Sequence, residues 1–349
     1  MKTTLSYFKW SFAVTAVGLV LATWLGYYYG GTPGAMQFLV IGAILAVLEI
    51  SLSFDNAIVN ANKLKTMSPV WQQRFLTWGI LIAVFGMRIV FPVLIVVVAA
   101  GIGPIEAVIL AATEPATYAQ IIGDAHLSIA AFGGTFLMMV ALSFFIDEDK
   151  DVHWMPWLEP VMARGGAIEG FKVALVVALM LTFTQIMPLE YVETFLFSGM
   201  AGLLTFLFVE IVGHVLDARD KAMSTAAQGG FGAFLYLEVL DASFSFDGVI
   251  GAFALTQNLF LIAIGLGIGA MYVRSMTIML VERESLAAFR YLEHGAFWSI
   301  LALSVVMFAQ TIIHVPEVIT GLFGAFLIGW ALWASVRWNK VNSMITRPS

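Results

Sequence analysis

The chain has no cysteine in its 349 residues. That excludes disulfides, zinc–thiolate sites and soft Cu(I)–thiolate chemistry. Charge is scarce too: Asp, Glu, Lys and Arg make up 11%, against about 25% in soluble domains. There is no basic run, so nothing points to nucleic acid. No P-loop, HExxH or hydrolase elbow is present. Gly265-x-Gly267-x-Gly269 lacks the strand–turn–helix setting of a dinucleotide site and reads as close helix packing. What the chain has is apolar length: 60% hydrophobic residues and a mean hydropathy of +0.92. These values exclude a soluble enzyme and predict an all-α polytopic membrane protein.

Ten apolar segments follow, near 8–29, 36–61, 75–100, 127–146, 168–187, 191–213, 231–256, 259–281, 292–312 and 318–336. The first resembles a signal peptide in its leading lysines, but a run from Phe8 to Tyr29 suits a retained span better. Ile105 to Ala112 is too short to span and is expected to be re-entrant or interfacial. The basic residues test this count. Of the 17 Lys and Arg, 15 fall at one side of a ten-span arrangement, and the opposite loops have none. The other two, Arg88 and Arg274, lie within spans. Both termini are therefore expected in the cytoplasm. The loop from Asp147 to Gly170 opens with DEDKD and reads as a solvated charged connection, metal sensing being the sharper alternative.

Inside these apolar segments lie acids. EISLSFDNAIV carries Glu49 and Asp55. EVLDASFSFDGVI carries Glu238, Asp241 and Asp247. A charge at a helix centre costs roughly 2.5–3.5 kcal/mol on insertion scales, so a cation is expected to meet them. Aligning Ser53-Phe54-Asp55 on Ser245-Phe246-Asp247 sets Glu49 opposite Asp241. A helix with one arginine follows each motif, Arg88 and then Arg274, and a histidine, His126 or His294, opens the helix after that. The order repeats with opposite membrane direction, an inverted repeat of the kind that places substrate sites near the bilayer midplane.

On an ideal helix, positions six apart are rotated by about 120°. Glu49 and Asp55 then share no face, and nor do Asp241 and Asp247. Either the helices break near Phe54–Asn56 and Phe246–Gly248, or the acids face different neighbours. Asn56, Ser53 and Ser245 are further oxygen donors. The expected metal set is Glu49, Asp55, Asn56, Glu238, Asp241, Ser245 and Asp247, with Arg88 and Arg274 balancing charge. Glu210 reads as an ordinary interfacial acid, and His126 and His294 as packing residues. Oxygen donors suit hard cations such as Mn²⁺, Mg²⁺ or Ca²⁺, and crowded carboxylates release protons when a cation enters.

These motifs resemble the TerC family of integral membrane proteins, named for tellurium resistance, and within it an uncharacterised bacterial subgroup of similar length. The family's E-x5-DN pattern matches Glu49, Asp55 and Asn56. Its second pattern matches Glu238, Asp241, Phe244, Ser245 and Asp247, and its post-motif arginines look like Arg88 and Arg274. The resemblance covers roughly residues 36 to 310. It implies a fold related to the lysine-exporter superfamily and, from several members, Mn²⁺ export; some relatives are linked to metal loading of secreted enzymes. Gly248 departs from the pattern, standing where many members carry serine.

The expected organisation is a first helix at 1–30, a first repeat at 36–146, and a loop with a connecting helix pair at 147–230. A second, inverted repeat at 231–312 and a last helix with its tail at 313–349 complete it. The expected function is not enzymatic: divalent-metal transport, Mn²⁺ export first, by alternating access in a bacterial inner membrane, with protons as the coupled ion. No permanently bound cofactor is expected; the partners are the metal ion, protons and the bilayer. The rivals are a membrane scaffold or metal-insertion partner working with the secretion machinery, and an intramembrane hydrolase using paired aspartates.

Overall fold

A computed structural model describes residues 4–79, 82–147, 150–168, 170–222, 230–283, 289–313 and 315–345. The described residues form helices and connections, with no strand among them. That follows from the apolar composition: in hydrocarbon, a helix satisfies its backbone polar groups within its own segment. Among the described residues five helices are long and apolar enough to cross a membrane, or seven if each of two bent pairs is one span. The array is compatible with a multi-pass membrane protein.

Helix Lys9–Leu52 takes in nearly all of the first apolar segment and most of the second, and it folds back on itself. Gly30 and Gly31 leave helical geometry, Gly31 with φ 61° and ψ −150°, and Pro33 follows. Beyond this turn Gly26 abuts Gly34 and Phe38, and Gly42 comes beside Ala22. Tyr29 stacks on Phe38 with ring centres 6.0 Å apart. A φ and ψ of this kind are open essentially to glycine alone, and the bare backbones of Gly26 and Gly34 let the two arms meet.

The third segment is wound unusually. Phe75–Gly79 and Ile82–Val90 are π-helical, and an α-helix resumes at Phe91–Ala100. Gly101 ends it in the left-handed conformation (φ 65°). The short apolar piece forms helix Pro104–Thr113, bent by 103° from the helix before it.

The centre of the molecule is helix His126–Phe145, of whose apolar window 72% is buried, against 22% for Lys9–Ser51 at the periphery. Leu189–Ala222 and Leu292–Gln310 pack against it at small residues: Gly202 lies on the Phe132 carbonyl, and Gly134 lies on Phe308. The connection that follows departs from the expected solvated loop. Glu159 is completely buried, and the Lys150 ammonium sits 3.6 Å from the centre of the Phe144 ring. Burial prevails there because Glu159 gathers enough donors to replace water. Glu148 and Asp149 of the DEDKD run lie outside the described residues, as do Lys2, His314 and Arg347.

Candidate functional site

The first motif breaks and the second does not. Helix Lys9–Leu52 ends at Ser53 (φ −101°, ψ 17°), and Phe54–Lys65 starts directly after it. Serine suits this point because its hydroxyl competes for nearby acceptors: the Ser53 N–H donates to the Glu49 carbonyl at 3.0 Å and its hydroxyl to Glu49 Oε1 at 3.2 Å. Helix Phe231–Leu255 runs unbroken through Glu238, Asp241 and Asp247. The break near Gly248 is therefore absent, and the 25-residue helix keeps its backbone ladder.

The two acidic stretches run antiparallel. Glu49 Oε2 lies 3.1 Å from where a Gly248 Cβ would stand, while Asn60 Nδ2 donates to Asp241 Oδ1 at 2.9 Å. Rising numbers in one stretch meet falling numbers in the other. The Asn56 side chain also hydrogen-bonds Asp241. Asn56 and Gly248 occupy the same motif position, as do Glu49 and Asp241, so the two crossed contacts are counterparts. Glycine at 248 has a local reason: a side chain there would crowd the Glu49 carboxylate.

Between the stretches lies a cavity of about 50 Å³. Glu49, Asn56, Asp241, Ser245, Arg88 and Arg274 are on its wall, so six of the nine residues singled out from the sequence meet at one cavity. Arg88 forms a buried ion pair with Glu49. Arg274 does not take the corresponding place on Asp241; its Nε donates to the Leu76 carbonyl, 3.0 Å away, in the π-helical stretch.

The other predicted acids stand apart. Asp55 is buried but turned to another helix: Ser299 Oγ donates to Oδ2 at 2.9 Å, and the Asn56 N–H donates to Oδ1 at 2.8 Å. Glu238, 7% exposed, sits behind Gly79, which is on the cavity wall. Neither Glu238 carboxylate oxygen has a hydrogen-bond partner among the described residues. Asp247 belongs to the second acidic helix, and its side chain lies outside the described residues. Among the described residues, no three acids or histidines converge closely enough to hold a metal ion. Glu210 pairs with Lys172 at 2.7 Å, consistent with an ordinary interfacial acid.

Sequence reasoning passed over Asn60, Ser299 and Gly269. Asn60 follows Asn56 by one helical turn on the same face, a signal that was available. Gly269 has its Cα against the Glu49 side chain, which the glycine spacing suggested only as packing. Ser299 carries no local sign of its role. His294 bonds Glu159 rather than a cavity residue, and the His214 side chain lies outside the described residues.

No curated protein and no solved structure matches the chain. A family model described as a protein of unknown function, DUF475, matches residues 54–342, a span that takes in the cavity's walls from Asn56 to Arg274, and the chain belongs to that family.

Proposed function

We propose that this protein is a membrane transporter for divalent metal cations, with Mn²⁺ export as the leading case. The supporting observation is the cavity at which Glu49, Asn56, Asp241 and Ser245 meet, oxygen donors contributed by two antiparallel stretches of related sequence. Hard divalent cations choose such ligands.

The charge on the wall is also informative. Glu49 and Asp241 are balanced by Arg88 and Arg274. A dication entering this balanced space needs added negative charge or a displaced arginine. Buried Glu238, behind Gly79 on the wall, is placed to supply the first, and withdrawal of Arg88 from Glu49 the second. We therefore read this arrangement as one state of an alternating-access cycle, with protons exchanging for the metal.

We read ten crossings. They are the two arms of Lys9–Leu52 with its extension to Lys65, the Arg88 segment, His126–Phe145, Phe171–Thr184, Leu189–Ala222, Phe231–Leu255, Leu259–Glu282, Leu292–Gln310 and Glu317–Ile345. The antiparallel acidic stretches fit an inverted repeat, and the resemblance to TerC proteins agrees with it. We read both termini as cytoplasmic from the positions of the basic residues, and the membrane as the bacterial inner membrane.

The test is Mn²⁺ flux into proteoliposomes with a pH dye inside, wild type beside Asp241→Asn. Wild-type flux with a dye response, abolished in the variant, is the expected result. Wild-type Mn²⁺ binding with no flux would replace transport by a metal-insertion scaffold.

A further inference from the structure

Glu159 plays no part in the cavity, yet it is completely buried. Donors reach it from several directions. His294 Nδ1 is 2.8 Å from Oε2, the Trp298 indole N–H donates to Oε1 at 2.9 Å, and the Trp154 backbone N–H donates to Oε2 at 2.9 Å. Lys150 Nζ and His153 Nδ1 stand 3.9 and 3.7 Å from Oε2. Charge-assisted bonds of this kind are strong, and removing one partner strands a buried charge. The segment Lys150–Glu159 is thus pinned.

It is pinned to three helices. Lys150 lies over the rings of Phe144 and Phe145, which end helix His126–Phe145. The Trp154 ring meets Trp330 of helix Glu317–Ile345 edge-on at 5.1 Å. Glu159 itself holds His294 and Trp298 of helix Leu292–Gln310, and the residue after Trp298 is Ser299, the donor to Asp55. At the same helix start Glu293 accepts a hydrogen bond from Asn62 of the first acidic helix. The stretch from His294 to Ser299 is about one and a half turns of helix and moves as one piece. The anchor of the segment and the holder of Asp55 are therefore rigidly joined.

We propose that Lys150–Glu159 is a strap, latched by the Glu159 carboxylate, which holds helix Leu292–Gln310 in place and so closes the Lys63/Lys65 end of the cavity to water. Release of the latch frees that helix to shift, carries Ser299 with it and lets Asp55 turn from its present partner. This deepens the transport reading by naming the gate of the same site.

The absence of cysteine allows a direct test. A single reporter, Val273→Cys on the cavity wall, is placed in the full-length reconstituted protein and labelled with a membrane-impermeant thiol reagent. Glu159→Gln weakens the latch without changing its shape, and Trp154→Ala removes the Trp330 contact while leaving the donors to Glu159. Each is expected to raise the labelling rate about tenfold, from one side of the membrane only. A rise below about threefold in both variants overturns the strap. So does an equal rise at Met139→Cys, deep in the central helix, which would mean unfolding rather than opening. Labelling reads access and not ion movement. A one-sided rise with no Mn²⁺ flux would therefore sustain the strap as a gate and sink the transport reading.

Discussion

Arg88 and Glu49 form an ion pair in which both side chains are nearly sealed from solvent, at 6% and 4% exposure. Removing one partner of such a pair leaves an uncompensated buried charge, at a cost of about 3–5 kcal/mol. Arg88→Gln is expected to destabilise the protein on that scale in denaturant unfolding, and Glu49→Gln/Arg88→Gln to recover much of the loss. If the double variant is no more stable than the single ones, the pair does not carry the energetics assigned to it. Lys150 offers a pH signature. Burial pushes its ammonium down to about 8, against the opposing pull of Glu159, Glu293 and Asp147. Above that pH the folded state gives up this proton while the unfolded state keeps it until about 10.4. Stability from this group therefore rises with pH between these values. The wild-type melting temperature is expected to climb relative to Lys150→Met as pH goes from about 8 to about 10; parallel curves would remove the assignment.

At the scale of the element, close approach decides which glycines matter. A methyl group at Gly269 would overlap the Cβ and Cγ of Glu49, and overpacking of this kind costs about 1–3 kcal/mol. At Gly18 the added atom meets the flexible end of Ile268 and lies at ordinary contact distance from Ile264. Gly269→Ala is expected to keep its helical circular dichroism yet lose Mn²⁺ flux, because Glu49 must leave its place beside Arg88. Gly18→Ala is expected to retain flux. Equal activity of the two would mean that the position of Glu49 is not critical. The glycine spacing was legible as helix packing, but not the fact that one of these glycines seats a carboxylate. The π-helical winding of Phe75–Gly79 and Ile82–Val90 was not legible either. Its apolar run reads the same in α and π form, and only the neighbours, with Glu238 packed against Gly79 and Arg274 bonded to the Leu76 carbonyl, distinguish them.

For the molecule as a whole, the apolar segments and the buried acids were readable from the chain. Each depends on local chemistry: a run long enough for a bilayer, a charge where charge is costly. The contacts that make the site are of another kind. Asn60 and Asp241 are 181 residues apart, and Asp55 and Ser299 are 244 apart. The loop expected to lie in solvent is instead folded onto three helices around Glu159. Composition and spacing determined by themselves an all-helical chain, compatible with a multi-pass membrane protein, with acids in its apolar segments. The tertiary structure alone decided that Glu49 and Asp241 share a cavity while Asp55 faces Ser299. The rotation of each helix is set by how its whole surface packs against neighbours distant in sequence, and a periodicity read along one segment carries no record of that.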